Sequence, residues 1–165
     1  MQPIVTRRNL AIGLVALVGI FFGIRSFAPD PEKVGHQVFE VYVDAMAEAN
    51  TLLEGTPLAS EVASDLAGVK ERAIEKLVVL GHGIAEMSEG NRAIVEATVR
   101  QSLSTMRQDP ETKGIYDAYQ AVWKAYHQGD AALFDDIKSL NILTQYAFFD
   151  LLRAQEPAEA DRLGV

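Results

Sequence analysis

From Leu10 to Ile24 the chain is uncharged and apolar, with Arg7 and Arg8 ahead of the run and Arg25 behind it. Such a run is either a leader removed on export or a helix kept in the bilayer. Sixteen residues separate Arg8 from Arg25, fewer than the ~20 a spanning helix uses. Arginine side chains can snorkel to the headgroups, however, and Ser26, Phe27 and Ala28 extend the helix as far as Pro29. Ser26-Phe27-Ala28 has the small-x-small form read by signal peptidase, but Pro29 would follow the cut and Arg25 lies just before it. Retention as an anchor is therefore the expectation, with cleavage after Ala28 as the alternative.

Positive charge stays on the cytoplasmic side of a membrane, so Arg7 and Arg8 orient the segment with its N-terminus inside. The arginine pair also has the form of a twin-arginine export signal, which delivers the downstream domain to the same side. The expected organisation is a cytoplasmic N-terminus over residues 1–8, a transmembrane anchor over 9–28, an extracytoplasmic helical domain over 30–154 and an acidic surface tail over 155–165. The expected location is a bacterial inner membrane, single-pass, with the C-terminal domain periplasmic. Within the anchor, Gly19 and Gly23 form a G-x-x-x-G pair that lets a second helix approach closely, and Gly13 and Ala16 add further small surfaces.

Beyond the anchor lie about 135 residues, enough for one domain with its own core. No cysteine is present, which removes disulfides, thiolate metal ligands and a cysteine nucleophile. All twenty-three acidic residues follow position 28, against twelve of the fifteen basic ones. A surface so acidic repels nucleic acid and anionic headgroups, and suits solubility or a basic protein partner.

The rest of the chain reads as helices. Asp30-Pro31-Glu32 is a start signal followed by Val34, Val38, Val41, Tyr42, Ala45, Met46 and Ala49 at helical spacing, stopped by Gly55. Thr56-Pro57 opens a second helix, with a kink or break expected near Gly81-His82-Gly83, and Gly90-Asn91 marks a turn. Ile94, Val95, Val99, Leu103 and Met106 form the third face, and Asp109-Pro110-Glu111 starts a fourth helix closed by Gly129. Asp130 caps a short fifth piece. The run from Leu140 to Leu152 is apolar all round, as in a helix at the centre of a bundle. The predicted fold class is all-α: one transmembrane helix followed by a compact bundle of five or six helices.

Motifs for chemistry are sparse. His36, His82 and His127 show no metal-binding spacing, although His82 between two glycines could contact a subunit. Asp130, Asp135 and Asp136 lack the alternating ligands of a calcium loop. No G-x-S-x-G elbow or phosphate loop occurs, and no cofactor or metal is expected. Tyr116, Tyr119, Trp123 and Tyr126 form an aromatic stripe, suited first to core packing, and alternatively to a docking face or the lipid interface.

Three functions fit. The first is a non-catalytic accessory subunit of a larger bacterial membrane complex, respiratory or photosynthetic complexes being one class of host. It would contact other membrane subunits through the anchor and helical domain, and the bilayer through the anchor, but not nucleic acid. The second is a cleaved periplasmic binding protein for a small apolar ligand or peptide. The third is an enzyme whose site gathers His36, His82 and His127.

Overall fold

Proline at the first helical position and Glu32 in the first turn open α1 (Pro31–Leu52) where the sequence places it. The computed structural model describes residues 29–127, 129 and 131–165. Helix α1 buries Val34, Gly35, Val38, Tyr42, Ala45, Met46 and Ala49 along one side. Gly55 and Thr56 then turn the chain with positive φ, 76° and 54°. This left-handed pair delays α2 (Ala59–Ala85), which begins after Pro57 with the Glu61 carboxylate accepting the Leu58 N–H at 3.0 Å.

The remaining elements are α3 (Glu89–Thr105), α4 (Lys113–Tyr126), α5 (Ala131–Ser139), a 3-10 helix (Leu140–Ala147), α6 (Phe149–Gln155) and α7 (Pro157–Leu163). The described residues are thus all-helical, with seven α-helices where five or six were expected. Residues Pro31–Val165 form one compact unit. Helix α1 lies against α2, α3, α4 and the 3-10 helix, and the 3-10 helix packs in turn on α2, α5 and α6.

Four local expectations are corrected. Helix α2 runs unbroken through Gly81-His82-Gly83 to Ala85; a Cβ on Gly81 would sit 2.6 Å from the Phe149 ring, so this glycine serves close packing. Gly90-Asn91 is no turn but the first turn of α3, because the Ser88 hydroxyl accepts the Asn91 N–H at 3.3 Å and caps the helix earlier. The apolar run from Leu140 is not one helix, since it is 3-10 as far as Ala147 and breaks at Phe148 (φ −125°, ψ 84°) before α6. Its fully buried residues explain why: Leu140, Leu143 and Tyr146 recur every third position, which aligns them on one edge at three residues per turn.

The fourth correction concerns the expected acidic tail. Pro157–Leu163 is a helix with Ala160 buried, closed by Gly164 in the left-handed conformation. The Tyr146 hydroxyl donates to Glu159 at 3.1 Å, and Arg162 bridges Glu159 at 2.9 Å and Glu71 of α2 at 3.3 Å. The Arg162 guanidinium, ahead of the Tyr146 hydroxyl, holds the Glu159 carboxyl below its usual range despite partial burial.

Among the described residues no helix is long and apolar enough to cross a membrane. The Leu10–Ile24 run, the expected 1–8 and 9–28 segments and the candidate packing positions Gly13, Ala16, Gly19 and Gly23 lie outside the described residues, as does the Asp130 cap.

Candidate functional site

Helix α3 is held to α1 at a point where glycine is obligatory for close approach. A Cβ on Gly35 would lie 2.6 Å from Thr98 Cβ and 3.1 Å from the Val95 carbonyl oxygen. Only Val95 and Val99 of α3 are buried, so much of this helix faces outward. Between it, the end of α2 and the start of α6 lies an open cleft of about 740 Å³. Its bed is apolar: Ile84, Val99, Ala147 and Phe149. Phe148 and Leu151 form one wall, Leu151 being 40% exposed.

The opposite wall is charged. Glu89, Arg92, Glu96 and Arg100 lie on one side of α3 at spacings of three and four, and all line the cleft. Across from them Arg153 is bonded to Asp150 at 2.9 Å, which neutralises that side internally. Gln145 donates from its side-chain nitrogen to Gln155 at 2.8 Å, while its own carbonyl oxygen is buried without a protein partner. The arrangement offers apolar area with a few fixed charges, which suits binding. A smaller groove of about 520 Å³ lies between the end of α1 and Ala118, Ala121 and Ala125 of α4.

The aromatic stripe belongs mainly to the core. Tyr119 and Tyr126 are buried, with hydroxyls donating to the carbonyls of Ile137 at 2.8 Å and Pro57 at 2.7 Å. A docking face or lipid contact through these two rings is thereby corrected: burial of their area outweighs exposure of the hydroxyl once a carbonyl accepts it. Trp123 is half-buried with its ring edge-on to Phe134 at 4.8 Å, and Tyr116 lies beneath the Arg107 guanidinium at 4.9 Å.

His82 is exposed, its ring 5.0 Å from that of Phe149 beside the cleft, and His127 at the end of α4 stacks edge-on against Phe134 at 5.2 Å. His36 is exposed on α1. Among the described residues no group of three or more His, Asp or Glu is placed to hold a metal ion. Asp135 pairs with Lys138 at 3.4 Å. The cleft itself escaped the sequence reading. Its sequence signal was the alternating charge of Glu89, Arg92, Glu96 and Arg100 on a helix with few core positions.

Burial fixes the titration of the core phenols. It pushes Tyr42 up to about 12, with the neighbouring Tyr116 adding to the shift, and it raises Tyr119 and Tyr146 further. A phenol whose folded value exceeds its unfolded value of about 10 contributes its full stability below pH ~10 and loses it as the pH climbs toward the folded value. The helical unit is therefore expected to unfold in alkali between about pH 10 and 12, with phenolate absorbance rising together with loss of helical circular dichroism. Titration of all the tyrosines near pH 10 in a chain that keeps its helicity would contradict this placement.

Compared with known protein families, characterised proteins and solved structures, the chain shows no match.

Proposed function

We propose that this chain is a non-catalytic accessory subunit of a bacterial inner-membrane assembly. In this reading Leu10–Ile24 is retained as a single-pass anchor with the N-terminus inside, and the periplasmic helical unit braces a partner. The observation that carries it is the uncharged run fenced by Arg7, Arg8 and Arg25, with glycines at positions 19 and 23 fit for helix packing. The open, partly charged cleft of the helical unit also supports it, since a bracing subunit needs a surface for its partner.

The test is isolation of the native protein in mild detergent. The expected result is a membrane-bound chain that retains residues 1–28 and co-purifies with other subunits in fixed proportion. A second reading, an exported binding protein cleaved after Ala28, is favoured by the same cleft, whose volume falls among those of ligand sites. N-terminal sequencing separates the two. A lone, freely diffusing chain beginning at Pro29 would overturn the subunit reading and leave the binding protein.

A further inference from the structure

Among the described residues, Tyr119, Tyr126 and Tyr146 are buried phenols that donate a hydrogen bond, and their acceptors differ in kind. Tyr119 and Tyr126 donate to backbone carbonyls, whose charge does not change with pH. Tyr146, 1% exposed, donates instead to the Glu159 carboxylate at 3.1 Å, an acceptor that titrates. The same carboxylate holds Arg162 at 2.9 Å, and Arg162 reaches Glu71 of α2 at 3.3 Å. One ionisable group therefore ties α7 to both the 3-10 helix and α2.

Little else fixes α7. A helix of seven residues is too short to persist by itself in water. It buries Ala160, with Leu163 and Val165 half-buried against the core, so the apolar area it contributes is small. The backbone has already left helical geometry at Glu156 (φ −133°, ψ 63°), ahead of Pro157. Rotation about φ of Glu156 keeps its N–H on the Leu152 carbonyl at 2.7 Å, and keeps its own carbonyl on the N–H groups of Glu159 and Ala160 at 3.0 and 3.1 Å. The joint thus lets α7 leave as a rigid piece without opening α6.

We propose that α7 is an acid-released clasp: protonation of Glu159 frees Arg162, and α7 swings off α2 about Glu156 while the rest of the helical unit stays folded. The charged and titratable groups around Glu159 and its phenol are Arg162 and Glu156 beside it, Tyr146 from the 3-10 helix, and Lys70 and Glu71 from α2. Arg162 contributes most to keeping the Glu159 carboxyl below its ordinary value of 4.5, and the Tyr146 hydroxyl and Lys70 act in the same direction. A carboxyl lowered in this way contributes its full stability above the ordinary value and loses it as the pH falls through the lowered one. What then remains is the Arg162–Glu71 pair, exposed at 43% and 52%, and exposed pairs hold weakly. The clasp opens before the core because the bonds of Tyr119 and Tyr126 do not titrate in acid. This goes beyond the subunit reading and does not depend on it.

The chain has no cysteine, so nitroxide labels on Ala67→Cys in α2 and Ala158→Cys in α7, both exposed positions, report a single distance. It is read by double electron-electron resonance on the full chain in mild detergent at pH 7 and at about pH 3.5, either side of the ordinary carboxylate range. One short distance is expected at pH 7. In acid a second, longer distance is expected to gain at least about threefold in its share of the signal, with helical circular dichroism reduced by no more than about a tenth. Glu159→Gln leaves Tyr146 an acceptor but removes the charge and the titration. It is expected to show the longer distance already at pH 7 and no further change in acid. Glu48→Gln, which takes the partner from Arg72 in another exposed pair, is expected to behave as the unaltered chain does. One unchanged distance at both pH values overturns the proposal, as does loss of most of the helicity in the same step. So does a Glu159→Gln chain that stays closed at pH 7 or still responds to acid, or opening at pH 7 in Glu48→Gln.

Discussion

Replacing Leu143 with alanine is expected to destabilise the helical unit by about 2–5 kcal/mol, the range for a fully buried leucine whose surroundings relax only in part. Leu143 is 0% exposed, on the edge of the 3-10 helix that also buries Leu140 and Tyr146. That helix touches α1, α2, α5 and α6, so the space left by the missing side chain has walls from several elements and no single one can collapse into it. Leu151→Ala provides the control with the same atoms removed. It lies 40% exposed on the cleft wall, and its loss is expected to stay within about 0.5 kcal/mol. Thermal unfolding of the full chain in mild detergent, followed by circular dichroism, measures both. Equal shifts for the two leucines would mean that the 3-10 segment is not the inner element described here.

The same segment shows what was legible in the chain and what was not. Pro31, Gly55 and the apolar face of α1 were readable because each acts locally: a fixed φ, a left-handed turn and a 3.6-residue period. The burial of the Leu140–Leu152 run was readable from its composition, whereas its geometry was not sought at the right period. Positions 140, 143, 146, 149 and 152 are all apolar and buried, a three-residue repeat that favours a 3-10 path. Pro157 and Gly164 were start and stop signals for α7, but the tail's few apolar residues hid a helix held mainly by Ala160, Tyr146 and Arg162. The cleft was the least legible feature. It depends on which faces of α3 and α6 remain uncovered after packing; the alternating charge around Arg92 hints at the α3 face, but no local pattern around Phe148 records the other.

Glycine is where local propensity and packing make opposite predictions, and two substitutions separate them. In a helix interior alanine is favoured over glycine by about 1 kcal/mol. Gly83 lies in α2 with nothing within 4 Å of where a Cβ would be, so Gly83→Ala is expected to stabilise the unit by about 0.5–1 kcal/mol. Gly35 lies in α1, where the same change would put its Cβ 2.6 Å from Thr98 Cβ and 2.8 Å from Thr98 Cγ2. The Val95 carbonyl at 3.1 Å closes the other side, so neither a rotamer change nor a small tilt clears the space. Overpacking of this kind costs about 1–3 kcal/mol and exceeds the propensity gain, because α3 has few other buried residues to hold it once it is pushed off α1. Gly35→Ala is therefore expected to lower the melting temperature while Gly83→Ala raises it. Thr98→Gly in the Gly35→Ala background removes the opposing atoms, and a double-mutant cycle is expected to show a favourable coupling of about 0.5–3 kcal/mol despite the added glycine. If Gly35→Ala were as well tolerated as Gly83→Ala, α1 and α3 would not meet at Gly35 and Thr98, and the α3 wall of the cleft would have to be redrawn.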